Sequence, residues 1–218
     1  MCGIIGMCGS KVSKKDLDVL KKIMIESRIR GKHASGIAWW TGKSIESVVK
    51  PEPIDELVEE FDFNRLLHNG QVSMIAHARY STSDIAFNQP LVGSTVAIAH
   101  NGVITQSHPR LWAKLYNYEC KTKNDSELLL RCIENGDNPY KVFEGSSIAA
   151  LVLNSGKIEP LRNGERPLWT GKIGETTVWA STYDILNRAG VTAIHKIEPY
   201  GKEYQRRNYK SWKIQRKV

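Results

Sequence analysis

The sequence predicts an α+β fold with helices layered over β-sheets. Two observations predict it. Short apolar runs bounded by turn residues fall into an early and a late group, and amphipathic helical segments lie among and between them. No proline-rich, glycine-rich or charged stretch divides the chain, and no internal repeat is visible.

The elements follow in order. Residues 3–8 (GIIGMC) read as a buried strand. Ser13-Lys-Lys-Asp16 is a capping-box pattern, opening a helix to about Ser27 with Leu17, Leu20, Ile23 and Met24 on one face. Strands are predicted at 35–40 and 45–50. Pro51 to His68 contains a second amphipathic helix carrying Leu57, Val58, Phe61, Leu66 and Leu67. Residues 72–78 and 95–100 are short apolar runs of strand type. Asp125 to Asn135 is a helix with acidic residues in its first turn, where they complement the helix dipole. Strands at 147–154, 157–161 and 176–181, and a short helix at 183–189, complete the series.

Composition bounds the class. The 218 residues are 41% hydrophobic and 25% charged, as in an ordinary globular domain with a sizeable core. No apolar run approaches the roughly 18 residues of a membrane span. MCGIIGMCGS lacks the basic segment of a secretory signal, so a cytoplasmic location is expected. Cys2, Cys8, Cys120 and Cys132 form no CxxC pair and no zinc spacing; disulfides and a metal are not expected, and the last three read as small core residues. No P-loop or dinucleotide fingerprint is present, so no cofactor is implied. The net charge of +8 is uneven: residues 201–218 hold seven basic residues and one acidic, interleaved with Tyr204, Tyr209 and Trp212. Such a segment suits a solvated terminus, a strand that exposes its charges, or contacts to nucleic acid.

The chemistry centres on Cys2. Aminopeptidases remove an initiator Met that precedes a small side chain. Removal of Met1 would leave a residue with both a thiol and a free α-amine, whose pKa of about 7.7–8.0 suits a general base near neutral pH. Attack on an amide carbonyl would give a tetrahedral intermediate, then a thioester that water hydrolyses. Asn101-Gly102 follows an apolar strand; an Asn side-chain NH₂ and the next backbone N–H can form an oxyanion hole. Arg79, at the end of another strand, offers a bidentate fork for a carboxylate. Asp125 could accept hydrogen bonds from an α-ammonium, or simply begin a helix.

Several motifs occur together and in a particular order: Cys2-Gly3-Ile4-Ile5-Gly6, Arg30-Gly31 with Ala34-Ser35-Gly36-Ile37-Ala38, His77-Ala78-Arg79-Tyr80-Ser81-Thr82, Asn88-Gln89-Pro90, Ala99-His100-Asn101-Gly102 and Asn124-Asp125-Ser126-Glu127. In this order they resemble the class II glutamine amidotransferases, the glutaminase domain of glucosamine-6-phosphate synthase and amidophosphoribosyltransferase. The match is strong to residue 130 and looser beyond, at Arg162-Asn163-Gly164, Pro167-Leu168 and Ala180-Ser181.

The resemblance implies the N-terminal-nucleophile hydrolase fold, a four-layer αββα sandwich of two antiparallel sheets between helix layers. It implies one domain over residues 1–200, followed by the basic segment 201–218. Cys2 would be the nucleophile and Asn101 with Gly102 the oxyanion hole. Arg79 would hold the α-carboxylate of L-glutamine and Asp125 its α-ammonium. Thr82 and the Arg30-Gly31 turn would line the pocket and position the terminus. Two departures stand out: Ala180-Ser181-Thr182 where the family often has Ala-Ser-Asp, and Lys32-His33 where an acidic residue is frequent.

Family members commonly carry a second domain that uses the ammonia. The expectation is therefore a glutaminase subunit that passes ammonia to a separate synthetase or transferase. A nucleic acid or nucleotide acceptor reached by the basic segment is a further possibility. The alternatives are an autonomous amidohydrolase acting on glutamine or a γ-glutamyl compound, and a catalytically silent binding module of the same fold.

Overall fold

The structure is a computed structural model and describes residues 1–80 and 87–200. Its strands are β1 (Gly3–Gly9), β2 (Ala34–Trp40), β3 (Ile45–Lys50), β4 (Val72–Arg79), β5 (Leu91–Val92), β6 (Val96–Val103), β7 (Ser147–Asn154), β8 (Lys157–Arg162), β9 (Trp169–Ile173), β10 (Thr176–Ala180) and β11 (Thr192–Lys196). Its helices are α1 (Lys14–Glu26), α2 (Ile54–Glu60), α3 (Trp112–Tyr116), α4 (Ser126–Glu134), α5 (Pro139–Val142) and α6 (Tyr183–Arg188). Among the described residues, no helix is long and apolar enough to cross a membrane.

The strands form two sheets in which every pairing is antiparallel. The larger runs β11-β9-β10-β1-β4-β2-β3 and the smaller β5-β6-β7-β8. Strand alternation sends successive side chains to opposite faces, and both sheets are apolar on both faces. In β1, Ile5 and Met7 join Leu20, Ile23 and Met24 of α1, Leu57 of α2 and Leu186 of α6 in one core. Ile4, on the other face of β1, meets Ala97, Ala99, Leu151 and Leu153 between the sheets. Ile98 and Ile148 face outward onto Leu128, Leu129 and Cys132 of α4. Helix, sheet, sheet and helix therefore stack as four layers.

Local chemistry sets most boundaries. α1 begins with a reciprocal capping box: the Asp16 amide donates to Ser13 Oγ and the Ser13 amide to Asp16 Oδ2. The helix predicted within 51–68 is not continuous. α2 stops at Glu60 and Phe61 turns extended. Asp62 Oδ1 then accepts the Asn64 amide at 3.0 Å and starts a separate 3₁₀ turn over Phe63–Leu66. Phe61 is thereby placed against both Trp39 and Phe63. All four cysteines are free thiols; Cys132 is buried, whereas Cys8 and Cys120 are only partly so.

Candidate active site

β1 lies in the middle of the larger sheet, between β10 and β4, and Cys2 immediately precedes it. Three contacts hold this end of the chain. The Ile4 amide donates to the buried Ser181 Oγ at 2.8 Å. Arg30 Nε donates to the Cys2 carbonyl at 3.4 Å. The Cys2 thiol lies 3.9 Å from the Tyr80 carbonyl oxygen.

The Arg30-Gly31 turn follows α1 and packs under the end of β4. A Cβ on Gly31 would meet backbone atoms of Arg79 and Tyr80 at 2.3 and 2.5 Å, so only glycine permits this approach. The His33 amide donates to the Arg79 carbonyl, locking the turn to the strand. Burial, the largest influence on Arg30, lowers its pKa, and the neighbouring Arg166 acts in the same direction. Arg166 Nη1 is 3.5 Å from Met1 Sδ, and Met1 itself is exposed. Residues 1 and 2 are thus each contacted by a guanidinium.

β4 delivers Arg79 to the rim. Its Nη1 donates to the Phe87 carbonyl at 2.9 Å and to Asn88 Oδ1 at 2.5 Å. On the same strand His77 is fully buried; burial first, and then the Arg79 charge, push its pKa down to about 3, so it is neutral.

β6 runs further than its apolar pattern predicts. Asn101 and Gly102 lie inside the strand, paired with Ala149 and Ile148 of β7, and the Val103 amide is held by Ser147 Oγ at 2.9 Å. A Cβ on Gly102 would fall 1.8 Å from the Ser147 carbonyl oxygen. Asn101 Nδ2 is buried and has no hydrogen-bond partner among the described residues.

Asp125 makes no side-chain cap for α4. Its Oδ2 instead accepts the Ile104 amide at 2.7 Å and the Thr105 amide at 3.4 Å, fastening the segment after β6 to the start of α4. One carboxylate oxygen is thus engaged by backbone.

These elements surround a cleft of about 440 Å³ whose lining includes Cys2, Arg79, Gly102 and Asp125. Arg30 and Gly31 stand behind the N-terminus and do not line this cleft; Asn101 is likewise not among its lining residues. Thr82 falls in residues 81–86, outside the described residues, as does the basic segment 201–218. Of the two departures, Thr182 precedes α6 without a side-chain cap, next to the Ser181 that anchors β1, and His33 packs its ring on Tyr80 at 5.0 Å. Among the described residues no cluster of His, Cys, Asp and Glu could hold a metal ion.

The lining also includes Gln89, His100, Asn124 and Ser126, to which the sequence reading gave no role. All four lie inside the motifs quoted above.

Two antiparallel sheets between helix layers, with a cysteine just ahead of the central strand, define the N-terminal-nucleophile hydrolase fold. Residues 61–208, more than half of the sequence, match the model of the glutamine amidotransferase domain, and the chain belongs to that family, in its class II branch. Among curated relatives it is 22% identical over 215 residues to amidophosphoribosyltransferase of Bacillus subtilis, covering 91% of this chain and 44% of that one. It is 25% identical over 165 residues to the isomerizing glutamine–fructose-6-phosphate aminotransferase of Clostridium acetobutylicum, covering 73% and 25%. The solved B. subtilis glutamine phosphoribosylpyrophosphate amidotransferase, complexed with ADP and GMP, superposes with a TM-score of 0.68 at 22% identity, over 91% of this chain and 46% of that one. The chain spans less than half the length of the curated relatives it matches.

Proposed function

We propose that this chain hydrolyses L-glutamine to glutamate and ammonia through a thioester on Cys2, and that the ammonia passes to an acceptor enzyme. The observation that carries the reading is the gathering of Cys2, Arg79, Gly102 and Asp125 around one cleft from four separate segments.

Removal of the exposed Met1 frees the Cys2 amine to take the thiol proton. Sγ attacks the side-chain carbonyl of glutamine and its oxygen becomes an oxyanion. Asn101 Nδ2 and the Gly102 N–H stabilise that charge. A buried amide without a partner costs about 1–3 kcal/mol, so an orphan Asn101 donor in the resting state fits one kept for the transition state. The amine returns the proton to the departing nitrogen, ammonia leaves, and water hydrolyses the thioester. The Arg79 fork takes the α-carboxylate, and the second oxygen of Asp125 takes the α-ammonium. Arg30 and Gly31 hold the nucleophile in place through the Cys2 carbonyl and the end of β4.

Delivery to an acceptor is supported by the names of the relatives, an aminotransferase and an amidophosphoribosyltransferase, which extend well beyond the region matched here. The test is a reconstitution. Purified protein is assayed for glutamate alone and with proteins recovered by pull-down, while amidation of candidate acceptors, nucleotides and nucleic acid included, is followed in parallel. Glutamate formation stimulated by a partner, with an acceptor amidated, is expected. Full activity without a partner on another γ-glutamyl compound would replace this reading with an autonomous amidohydrolase.

A further inference from the structure

In the wall of the cleft, three buried polar side chains close a ring of hydrogen bonds. The His100 amide donates to Gln89 Oε1 at 2.7 Å. That fixes the orientation of the Gln89 amide, whose Nε2 donates to Ser126 Oγ at 3.2 Å. Ser126 Oγ lies 2.8 Å from His100 Nδ1. Having accepted from Gln89, the hydroxyl has its own proton to give, and Nδ1 is the acceptor within reach. His100 is then neutral with its proton on Nε2, which lies 3.3 Å from the Ser147 carbonyl. Burial, the largest influence on this ring, also lowers its pKa and favours the neutral form.

Two members adjoin a residue that the proposed reaction uses, and the third adjoins a residue that contacts one. His100 precedes Asn101, and Ser126 follows Asp125. Gln89 follows Asn88, whose Oδ1 is held by Arg79. The Phe87 carbonyl receives both Arg79 Nη1 and Asn124 Nδ2, so the segment carrying Gln89 is tied to β4 and to the approach to α4. The ring therefore lies where the oxyanion end of β6, the start of α4 and the Arg79 contact converge.

We propose that Gln89, His100 and Ser126 are positioning residues that set the spacing between the oxyanion hole and the sites for the α-carboxylate and α-ammonium of the substrate. The inference rests on the glutaminase reading. Misplacing reacting groups by about 1 Å can cost 10²-fold, and opening the ring releases three such elements at once. Ser126→Ala removes the shared hydroxyl and leaves Gln89 Nε2 and His100 Nδ1 without partners. Gln89→Glu keeps the acceptor for the His100 amide but, ionised, has nothing to donate to Ser126.

The experiment compares two alkylations of Cys2. A diazoketone analogue of glutamine needs the whole substrate site, whereas iodoacetamide needs only an accessible thiol in a folded chain. The wild type and both variants are measured, and kcat and KM for glutamine are recorded beside them. In the variants, diazoketone inactivation and kcat are expected to fall roughly 10- to 100-fold, with iodoacetamide rates within about twofold of wild type. Nitrogen-15 spectra of His100 are expected to show the Nε2–H tautomer in the wild type and a mixture in Ser126→Ala. Diazoketone rates in both variants equal to wild type would overturn the inference. So would equal losses of both alkylations, the mark of a merely structural role. A wild type that reacts with iodoacetamide but not with the diazoketone would overturn the glutaminase reading beneath it, whatever tautomer His100 shows.

Discussion

Gly102→Ala is the substitution whose consequences can be followed furthest. The added Cβ would lie 1.8 Å from the Ser147 carbonyl oxygen and 2.7 Å from His100 Nε2. A carbon and a carbonyl oxygen settle at about 3.3–3.6 Å, so β6 and β7 must part by roughly 1.5 Å. Both obstacles are poorly placed to yield: one is strand backbone, the other a buried ring. Separation would weaken about two ladder hydrogen bonds beside Ile148, at about 1 kcal/mol each. Overpacking adds about 1–3 kcal/mol, giving a loss of roughly 3–5 kcal/mol. For a domain of this size that lowers Tm by roughly 6–20 °C. The same displacement moves the Gly102 N–H, and losing one oxyanion donor costs about 10²–10³ in kcat. Thermal melts and glutamate release at a temperature where the variant stays folded measure the two effects separately. A folded Gly102→Ala protein within about threefold of wild-type kcat would refute the placement of the oxyanion hole at this residue.

Four further outcomes are expected. Arg79→Lys keeps the charge but loses the fork, and should raise KM for glutamine at least about tenfold with a smaller effect on kcat, measured by steady-state kinetics. Gly31→Ala forces a Cβ into the backbone of Arg79 and Tyr80, and should lower stability by about 1–3 kcal/mol in urea titrations. Arg162→Met leaves the carbonyls of Gly164, Arg166 and Ile197 without their buried donor, and should cost about 3 kcal/mol or more by the same titration. Glu127 accepts the Lys121 and Thr122 amides and an Arg131 hydrogen bond; burial opposes its ionisation, but these contacts prevail and hold its pKa below the ordinary carboxylate value. Its stabilisation is present above the unfolded pKa of about 4.3 and is lost as pH falls through the lower folded value. Glu127→Gln should remove that acid-limb contribution from the stability profile.

Where two signals agree in the sequence, the fold was legible. α1 has both a capping box and a one-sided apolar face, and β7 is a continuous apolar run; both lie where the pattern puts them. β9 and β11 were not recognised. Trp169-Thr-Gly-Lys-Ile mixes small and charged residues in a short run, and Thr192–Lys196 is a mostly exposed edge strand with no apolar pattern. The break at Phe61 was hidden because apolar spacing continues across it, while the Asp62 side chain, a local hydrogen-bonding competitor, ends the helix. At the site, Cys2, Arg79 and Asp125 could be picked out because each bears a functional group of obvious use, and Gly102 because its N–H follows Asn101. The roles of Gln89, His100 and Ser126 depend on partners 11 to 37 positions away, a relation that residue type and spacing do not carry. The second duty of Asp125, holding the Ile104 and Thr105 amides, was invisible for the same reason.

The central claim is that Cys2 carries the glutamyl group. The most direct test is to confirm loss of Met1 by intact mass, quench the protein in acid during turnover of glutamine, and map the peptide containing Cys2 by mass spectrometry. The account predicts a glutamyl thioester on Cys2, absent without substrate, with glutamate release abolished in Cys2→Ala. Glutamate formed at an undiminished rate by Cys2→Ala would contradict it.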